Sequence, residues 1–460
     1  MASDTNEEIE LGFAGLRIGR PPLSEEDATL RTFLRQNSRE FETVHELREQ
    51  GWNNPKGDEH YERKHKIADR HIRDADQEKV YYQMYLVIAR ELQEATAVFT
   101  VNGSTPGKLR GFNLCMAPGG YTRVLLDHNP QMTISGITLP EAQTGHPVVT
   151  EVAADPRVGV EYLDINLLAT SMGVPASDIP ADHPDAEKFL THVPFADLEF
   201  DVVIADGAVL RTHDRGEHRL DKEREALRLR LSQLILGFGR IKDGGTFMVL
   251  LHRIDSWENF VLLRKLEQFS EVKVHKPTVK HAESSSFYIV AKNVDRDRLT
   301  ATAVLDEWKA YWRQVTFGGE EGKGELPQGP GNDVVEKAFQ EYGARYMELG
   351  RPVWETQARA LEKAPYMKLP DARTSNARQT SSNKTATSSN KMGTVREKTP
   401  ENPKLASILK ASSWRTVSSP SIERAGDDAD QTSQADSGSS KRETSAKPTR
   451  PPAASLPSWR

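Results

Sequence analysis

Between Leu109 and Asn293 short apolar runs alternate with segments of helical periodicity, and this alternation leaves few folds open to the chain. Strands are predicted near 111–115, 132–138, 158–162, 200–205, 246–251, 271–275 and 286–292. Helices are predicted at 119–127, 220–241 and 256–268, with a further one at 165–172. Runs such as Val202-Val203-Ile204 show no polar alternation, as expected of strands covered on both faces. The pattern is that of a doubly wound α/β sheet, mostly parallel. The last two strands are joined through Pro277 without a helix, so an antiparallel last strand is expected. An insertion rich in Pro, Asp and His around 174–198 reads as a loop or short helix beyond the edge of the third strand.

Helical segments flank this region. Residues 1–72 form a charged extension in which Leu30, Phe33, Phe41, Val44 and Leu47 recur at helical spacing; a cap on the main domain and a solvent-facing lead-in are both open. A long helix is predicted from Asp76 to Ala97, with Val80, Met84, Val87, Ile88 and Leu92 on one face and Tyr81 and Ala95 widening it. The main domain is drawn at 73–295 and a helical C-terminal extension at 296–368. There Trp308, Tyr311 and Trp312 share a face; packing is expected of them, with base stacking the minor alternative.

Residues 369–460 read as a disordered, basic tail. Its last 90 residues hold 18 Ser, and 15 Lys and Arg against 9 Asp and Glu. Such a segment buries too little apolar area to offset its ordering entropy. Its semi-apolar island at 405–414 (LASILKASSW) is a candidate docking helix for a protein partner. The full chain is no polycation, with net charge -6, so contact with nucleic acid must rest on a local surface. Arg211, Arg215 and Arg219, with His213 and His218, form one such patch, partly offset by Asp214, Glu217 and Asp221. A lone cysteine, Cys115, excludes an internal disulfide and a cysteine-rich zinc site, and no metal site is expected. No signal peptide and no run of 18 apolar residues is present, so the expectation is an intracellular protein, cytoplasmic or nuclear, outside the membrane. Oligomeric state has no signature here.

The segment from Gly111 to Leu126 (GFNLCMAPGGYTRVLL) runs from strand through tight turn to helix. Pro118 pre-sets the turn, and Gly119 and Gly120 allow close approach to the backbone. One reading is a nucleoside cofactor pressed against the chain at the carboxyl edge of the sheet; the other is a plain strand-to-helix turn. The dinucleotide pattern G-x-G-x-x-G and the P-loop pattern are both absent.

The Ala117-Pro118-Gly119-Gly120-Tyr121 sequence resembles the cofactor loop of the FtsJ-like S-adenosylmethionine-dependent RNA ribose 2'-O-methyltransferases. Three further blocks follow in that family's order: Phe200–Ala208 (FDVVIADGA), Asp243–Leu251 (DGGTFMVLL) and Lys276–Val290. The resemblance covers about residues 75–293. It implies a Rossmann-like fold, S-adenosylmethionine as cofactor, and RNA as substrate. It implies cofactor contacts from Asn113, Cys115, Ala117, Pro118, Gly119, Gly120, Tyr121, Thr138, Asp164 and Asp206. Asn113 stands where an aspartate is usual, and Thr138 where an acidic residue often meets the ribose; Glu141 is a nearby substitute. Asp164 reads equally as a helix N-cap.

The family's chemistry rests on a Lys-Asp-Lys-Glu tetrad, in which a lysine of lowered pKa takes the proton of a poor nucleophile. This chain departs from it. Gln83, Leu250 and Ser286 stand at the two lysine positions and the glutamate position, and Asp206 alone is kept. Candidate catalytic residues are therefore Asp206, Lys79 (one helical turn before Gln83), His252 and Lys280. Three functions are carried forward: an RNA methyltransferase with a non-standard site, a catalytically inactive scaffold binding RNA or protein, and a methyltransferase acting on a substrate other than ribose.

Overall fold

The structure, a computed structural model, describes residues 23–60, 62, 75–101, 108–143, 145–209 and 219–367. The 211–218 part of the basic patch, including His213, and the 405–414 island lie outside them. The described residues form one seven-stranded sheet: β1 (Arg110–Leu114), β2 (Thr133–Thr138), β3 (Val158–Tyr162), β4 (Phe200–Ala205), β5 (Ile241–His252), β6 (Glu271–His275) and β7 (Ser286–Lys292). Their order is β3-β2-β1-β4-β5-β7-β6. All pairs are parallel except those of β7, which runs antiparallel to both β5 and β6. This is a Rossmann-like mixed sheet with helices on both faces. The winding reverses between β1 and β4, and sheets of this winding bind ligands at the carboxyl ends of the strands that flank the reversal.

Side chains along the central strands divide by the two-residue period of the pleat. Val203, Ala205, Phe247, Val249, Leu251, Phe287, Ile289 and Ala291 enter one core; Val202, Ile204, Met248, Tyr288 and Val290 enter the other. The second core is closed by α3 (Ala75–Thr96) and α4 (Gly120–His128), which contribute Leu86, Ile88, Ala89, Leu92, Val124 and Leu125. The first is closed by α5 (Arg219–Phe238), α6 (Trp257–Leu266), α8 (Val304–Phe317) and α9 (Asn332–Glu362), with the short α7 (Arg296–Ala301) leading into α8. Trp308 and Trp312 are core residues of this layer, and Trp312 donates its indole N–H to Ser232 Oγ at 3.0 Å. Base stacking by these two rings is thereby excluded. No helix among the described residues is long and apolar enough to cross a membrane.

Two local expectations change and one open alternative is resolved. Residues 165–172 make only a 3-10 turn at Ile165–Leu167. The Asn166 carbonyl, which a longer helix would use internally, accepts instead from the Arg228 guanidinium at 2.8 Å. On α3 the expected Ile88 and Leu92 are buried, joined by Leu86 and Ala89 and with Met84 packed against them, while Val80, in the first turns of the helix, is 59% exposed. The N-terminal segment is a cap: in α1 (Glu25–Asn37) and α2 (Arg39–Trp52), Leu30, Leu34, Phe41 and Val44 are fully buried and belong to the core beneath α9.

Two carboxylates fasten the cap to the sheet: Asp27 of α1 pairs with Arg253 and accepts from Trp257 N–H at 2.8 Å, and Asp255 answers from the sheet side. Asp255, just past β5, pairs with Arg31 at 2.8 Å and Arg48 at 3.1 Å. Burial pushes its pKa up, but Arg48, Arg31 and Arg253 overcome this and hold it at about 2. Arg48 also donates to Gln357 on α9 at 2.6 Å, so cap, sheet and last helix meet at one point.

Two glycines set the turn after β1. Gly120, the first residue of α4, touches α3: an added Cβ would stand 2.6 Å from Tyr85 Cβ and 2.9 Å from the Tyr82 carbonyl oxygen. Gly119 has φ of 104° and lies against Val152, 3.0 Å from where its Cβ would be. The space beside both α-carbons is thus filled by protein, and the close approach they permit is that of the chain to itself. Packing alone requires a glycine at both positions.

Two outcomes are expected. Gly120→Ala should lower stability by about 1–3 kcal/mol through overpacking, read as a lower urea midpoint. Asp255→Ala should cost roughly 3–5 kcal/mol by stranding buried guanidinium charge. The Asp255 carboxylate is depressed in the fold, so its stabilisation is present above 3.8 and lost as pH falls toward about 2. The melting temperature of Asp255→Asn should therefore vary less than that of the parent in this acid window.

Candidate functional site

The carboxyl ends of β3, β2, β1 and β4 are neighbours, and each carries a polar or reactive group: Asp164, Thr138, Cys115 and Asp206. Leu114 pairs with Ala205, so Cys115 and Asp206 leave adjacent strands side by side at the switch point. The loop from Cys115 to Gly120 is tied to β2 by Met116 N–H donating to the Ile137 carbonyl at 2.9 Å. Ala117 N–H donates more weakly to Thr138 Oγ1, at 3.4 Å. On the other side Gly207 approaches so near that an added Cβ would lie 2.5 Å from Cys115 Sγ. Gln233 of α5 holds this second turn, accepting from Gly207 N–H at 2.8 Å and donating to its carbonyl at 3.2 Å. Its part in the site was not signalled by the sequence, since a single glutamine on an otherwise apolar helix face has many uses.

Asp206 is the group most altered by its surroundings. Burial raises its pKa from 3.8 to about 8, against the pull of its own backbone N–H. The described residues supply it with no cation. Instead its charge is felt by three tyrosines, Tyr85, Tyr121 and Tyr288, and by the Cys115 thiol. Burial pushes the Tyr121, Tyr288 and Cys115 pKa values well up, so none of them is an anion near neutrality. The hydroxyls of Tyr121 and Tyr288 meet at 2.6 Å, and Tyr288 is the register partner of Leu250. Leu250, which the resemblance matches to the central lysine, thus stands beside a phenolic side chain.

The remaining cofactor candidates are dispersed around this point. Asn113 is fully buried and donates to Thr122 Oγ1 at 2.8 Å; its Oδ1 finds no hydrogen-bond partner among the described residues. Asp164 caps the 3-10 turn, accepting from Asn166 N–H at 3.0 Å, so its capping role is real. Glu141 lies exposed in a single 3-10 turn, Glu141–Gln143. Tyr121 points into the second core rather than outward. A crevice rich in acceptors and without a described cation at Asp206 suits a ligand that brings positive charge. The donor set therefore fits a sulfonium nucleoside.

Acceptor-side candidates lie on the same edge. Gly120 opens α4 at the end of β1 and touches Tyr82 to Leu86, so Lys79 and the exposed Gln83 extend beyond the sheet. His252 ends β5 opposite Ser286 of β7, on the α3 side of the sheet. His252 is exposed as a residue although its imidazole is partly desolvated, and its Nδ1 meets Ser286 Oγ at 3.1 Å. Burial of its surroundings and then the Lys276 charge lower its pKa below 6.5. Lys280 is exposed in the turn between β6 and β7. In that turn Lys276, only 3% exposed, is an ordered polar centre that the sequence did not reveal. A lysine before a proline in a loop gives no sign of burial.

Residues 90–294 match the FtsJ-like methyltransferase family. No curated protein matches the chain. Among solved structures, an rRNA methylase from Streptococcus thermophilus is similar at 8% identity and a TM-score of 0.24, covering 41% of this chain and 88% of its own. The N-methyltransferase NodS from Bradyrhizobium japonicum is similar at 12% identity and a TM-score of 0.28, covering 48% and 99%. Human methyltransferase-like protein 13, in complex with SAH, is similar at 15% identity and a TM-score of 0.25, covering 56% and 96%. Likeness at this level assigns no substrate. With the strand order and the switch-point crevice, the family match fixes the identity of the central region: residues 90–294 belong to the FtsJ-like methyltransferase family.

Proposed function

We propose that this domain binds S-adenosylmethionine and methylates RNA, at a ribose 2'-hydroxyl, through a site that has replaced the family's amines. The carrying observation is Asp206, a carboxyl of raised pKa at the switch point, facing tyrosines and a thiol and no described cation. When bound, S-adenosylmethionine supplies an electrophilic methyl group on a positively charged sulfur. Asp206 would provide the counter-charge, and Asn113 Oδ1 and Asp164 would accept hydrogen bonds from the nucleoside and amino-acid parts. The loop 115–120 and Thr138 would shape the floor. On the acceptor side His252, Lys79 and Lys280 are the candidate groups. RNA as the substrate class is supported by the family and by the arginines of the sequence at 211–219, whose guanidinium forks suit phosphate.

A catalytically inactive binding scaffold is the second reading. The Leu250–Tyr288 pair supports it, because neither side chain takes a proton near neutral pH. Transfer of a labelled methyl group to RNA, set beside protein and small-molecule acceptors, separates the readings. Asp206→Ala should reduce transfer by about 10²-fold or more; unchanged turnover would remove Asp206 from the site, and no turnover on any acceptor would favour the scaffold.

Cofactor binding has its own signature. Below about 8 Asp206 is protonated, and a cation at the site must displace that proton. Affinity for S-adenosylmethionine, relative to the uncharged thioether product, should therefore rise as pH increases and level off above about 8. Asp206→Asn should abolish that dependence, measured by calorimetric titration from pH 6.5 to 9. A flat ratio in the parent protein would refute the pairing.

A further inference from the structure

At the end of β5 the hydrogen bonds run in one direction, and this direction fixes a proton. Ser284 Oγ lies 3.0 Å from the His281 carbonyl oxygen, which can only accept, so the Ser284 hydroxyl hydrogen is spent there. Ser284 Oγ also meets Ser286 Oγ at 3.0 Å, and in that contact Ser286 must donate. Ser286 has then used its only hydrogen. Its 3.1 Å contact with His252 Nδ1 requires the imidazole to donate. Neutral His252 therefore carries its proton on Nδ1, and Nε2, on a residue exposed overall, keeps its lone pair.

The anchor of the chain is Lys276. Its Nζ donates to the carbonyls of His281 at 2.9 Å, Ser284 at 2.6 Å and Ser286 at 2.8 Å. Three acceptors match the three N–H groups of an ammonium. Burial draws the Lys276 pKa down to about 7, with Arg48 adding to the effect; the three carbonyl dipoles oppose this, since a neutral amine can fill only two. The cage fixes the turn from 276 to 286 to the start of β7 and thereby fixes both serines. The charged and titratable neighbours of His252 are Lys276 and His281; Asn259 of α6 binds only its carbonyl. His281 is itself held neutral, its pKa lowered to about 4 by burial and then by Lys276, His252 and Lys280.

We infer that His252 is the proton acceptor for the methylated group, held in its Nδ1–H form by the Ser286–Ser284–His281 chain, with Lys276 and the two serines as positioning residues. The inference rests on the methyltransferase reading. The His252–Ser286 pair follows Leu250–Tyr288 in the register. The base thus stands two residues, roughly 7 Å, nearer the ligand edge than the lost lysine, on the same face of the sheet. As the acceptor hydroxyl forms its bond to the methyl carbon, its proton passes to Nε2. The carbon–sulfur electron pair stays on sulfur, leaving an imidazolium and a neutral thioether. Ser286 remains an acceptor for the Nδ1–H throughout, so no rearrangement of the chain accompanies the transfer.

The test is nitrogen-15 NMR of the full chain labelled at histidine, with the His252 signals assigned by their loss in His252→Gln. The expected neutral form has the proton on Nδ1. Ser286→Ala should shift the population toward the Nε2–H form that free imidazole side chains prefer, and Ser284→Ala should do so less. An Nε2–H tautomer in the parent protein, or no change in Ser286→Ala, overturns the inference. In the transfer assay His252→Gln should lower turnover by about 10²-fold or more while leaving S-adenosylmethionine affinity unchanged; turnover within a few-fold of the parent's also overturns it. Absence of cofactor binding would sink the methyltransferase reading, and the NMR result would still report the proton's place.

Discussion

The crossing of α3 over the first turn of α4 depends on a missing methyl group. Gly120 presents no Cβ, so the backbone of α3 from Tyr82 to Leu86 can lie directly on the turn after β1. That contact sets the height of the long helix above the sheet and brings Tyr85 beside Tyr121. A second close approach, Gly207 against Cys115, draws the turn after β4 onto the turn after β1. Between them the two contacts leave Asp206 enclosed by aromatic and sulfur-bearing groups. Its altered acidity is thus a result of backbone packing two elements away, and not of any single neighbour.

The sheet was legible because its strands are short apolar runs bounded by turn residues, and runs such as Phe200–Ala205 have no competing helical period. The antiparallel last strand followed from the missing helix around Pro277. Boundaries erred where hydrogen bonding, not hydrophobicity, decides. The 165–172 segment has apolar residues at fair helical spacing, yet Arg228 claims the Asn166 carbonyl and stops the helix. The α3 stripe holds at Ile88 and Leu92 and fails at Val80, because periodicity cannot tell which end of an amphipathic helix extends past its partner. The site was less legible. Asp206 stood out through its motif, whereas the packing of the two glycines against Val152 and α3 is visible only in the fold. Lys276 was invisible as a centre, since its burial arises from a turn that only the folded β6–β7 connection creates.

Both halves of the proposed site share one electrostatic design. Asp206 and His252 are each kept from their charged forms near neutrality, one by enclosure and the other by enclosure together with a nearby ammonium. Such groups are costly to ionise, and each becomes useful only when a ligand of the right charge or a transferable proton arrives. The same feature makes the region a poor contributor to the fold's own stability, a cost that the aromatic pairs above α5 and the Asp255 cluster help to offset.

The Asp255 junction has a consequence for where this protein can be cut. The family match ends at residue 294, yet Leu30, Leu34, Phe41 and Val44 from one end of the described chain and Val353, Trp354 and Leu361 from the other share a continuous core with the sheet. Inheritance and cooperativity therefore have different borders. A recombinant fragment trimmed to the homologous stretch would expose an oily face and strand an anionic side chain, and would precipitate for reasons unrelated to catalysis.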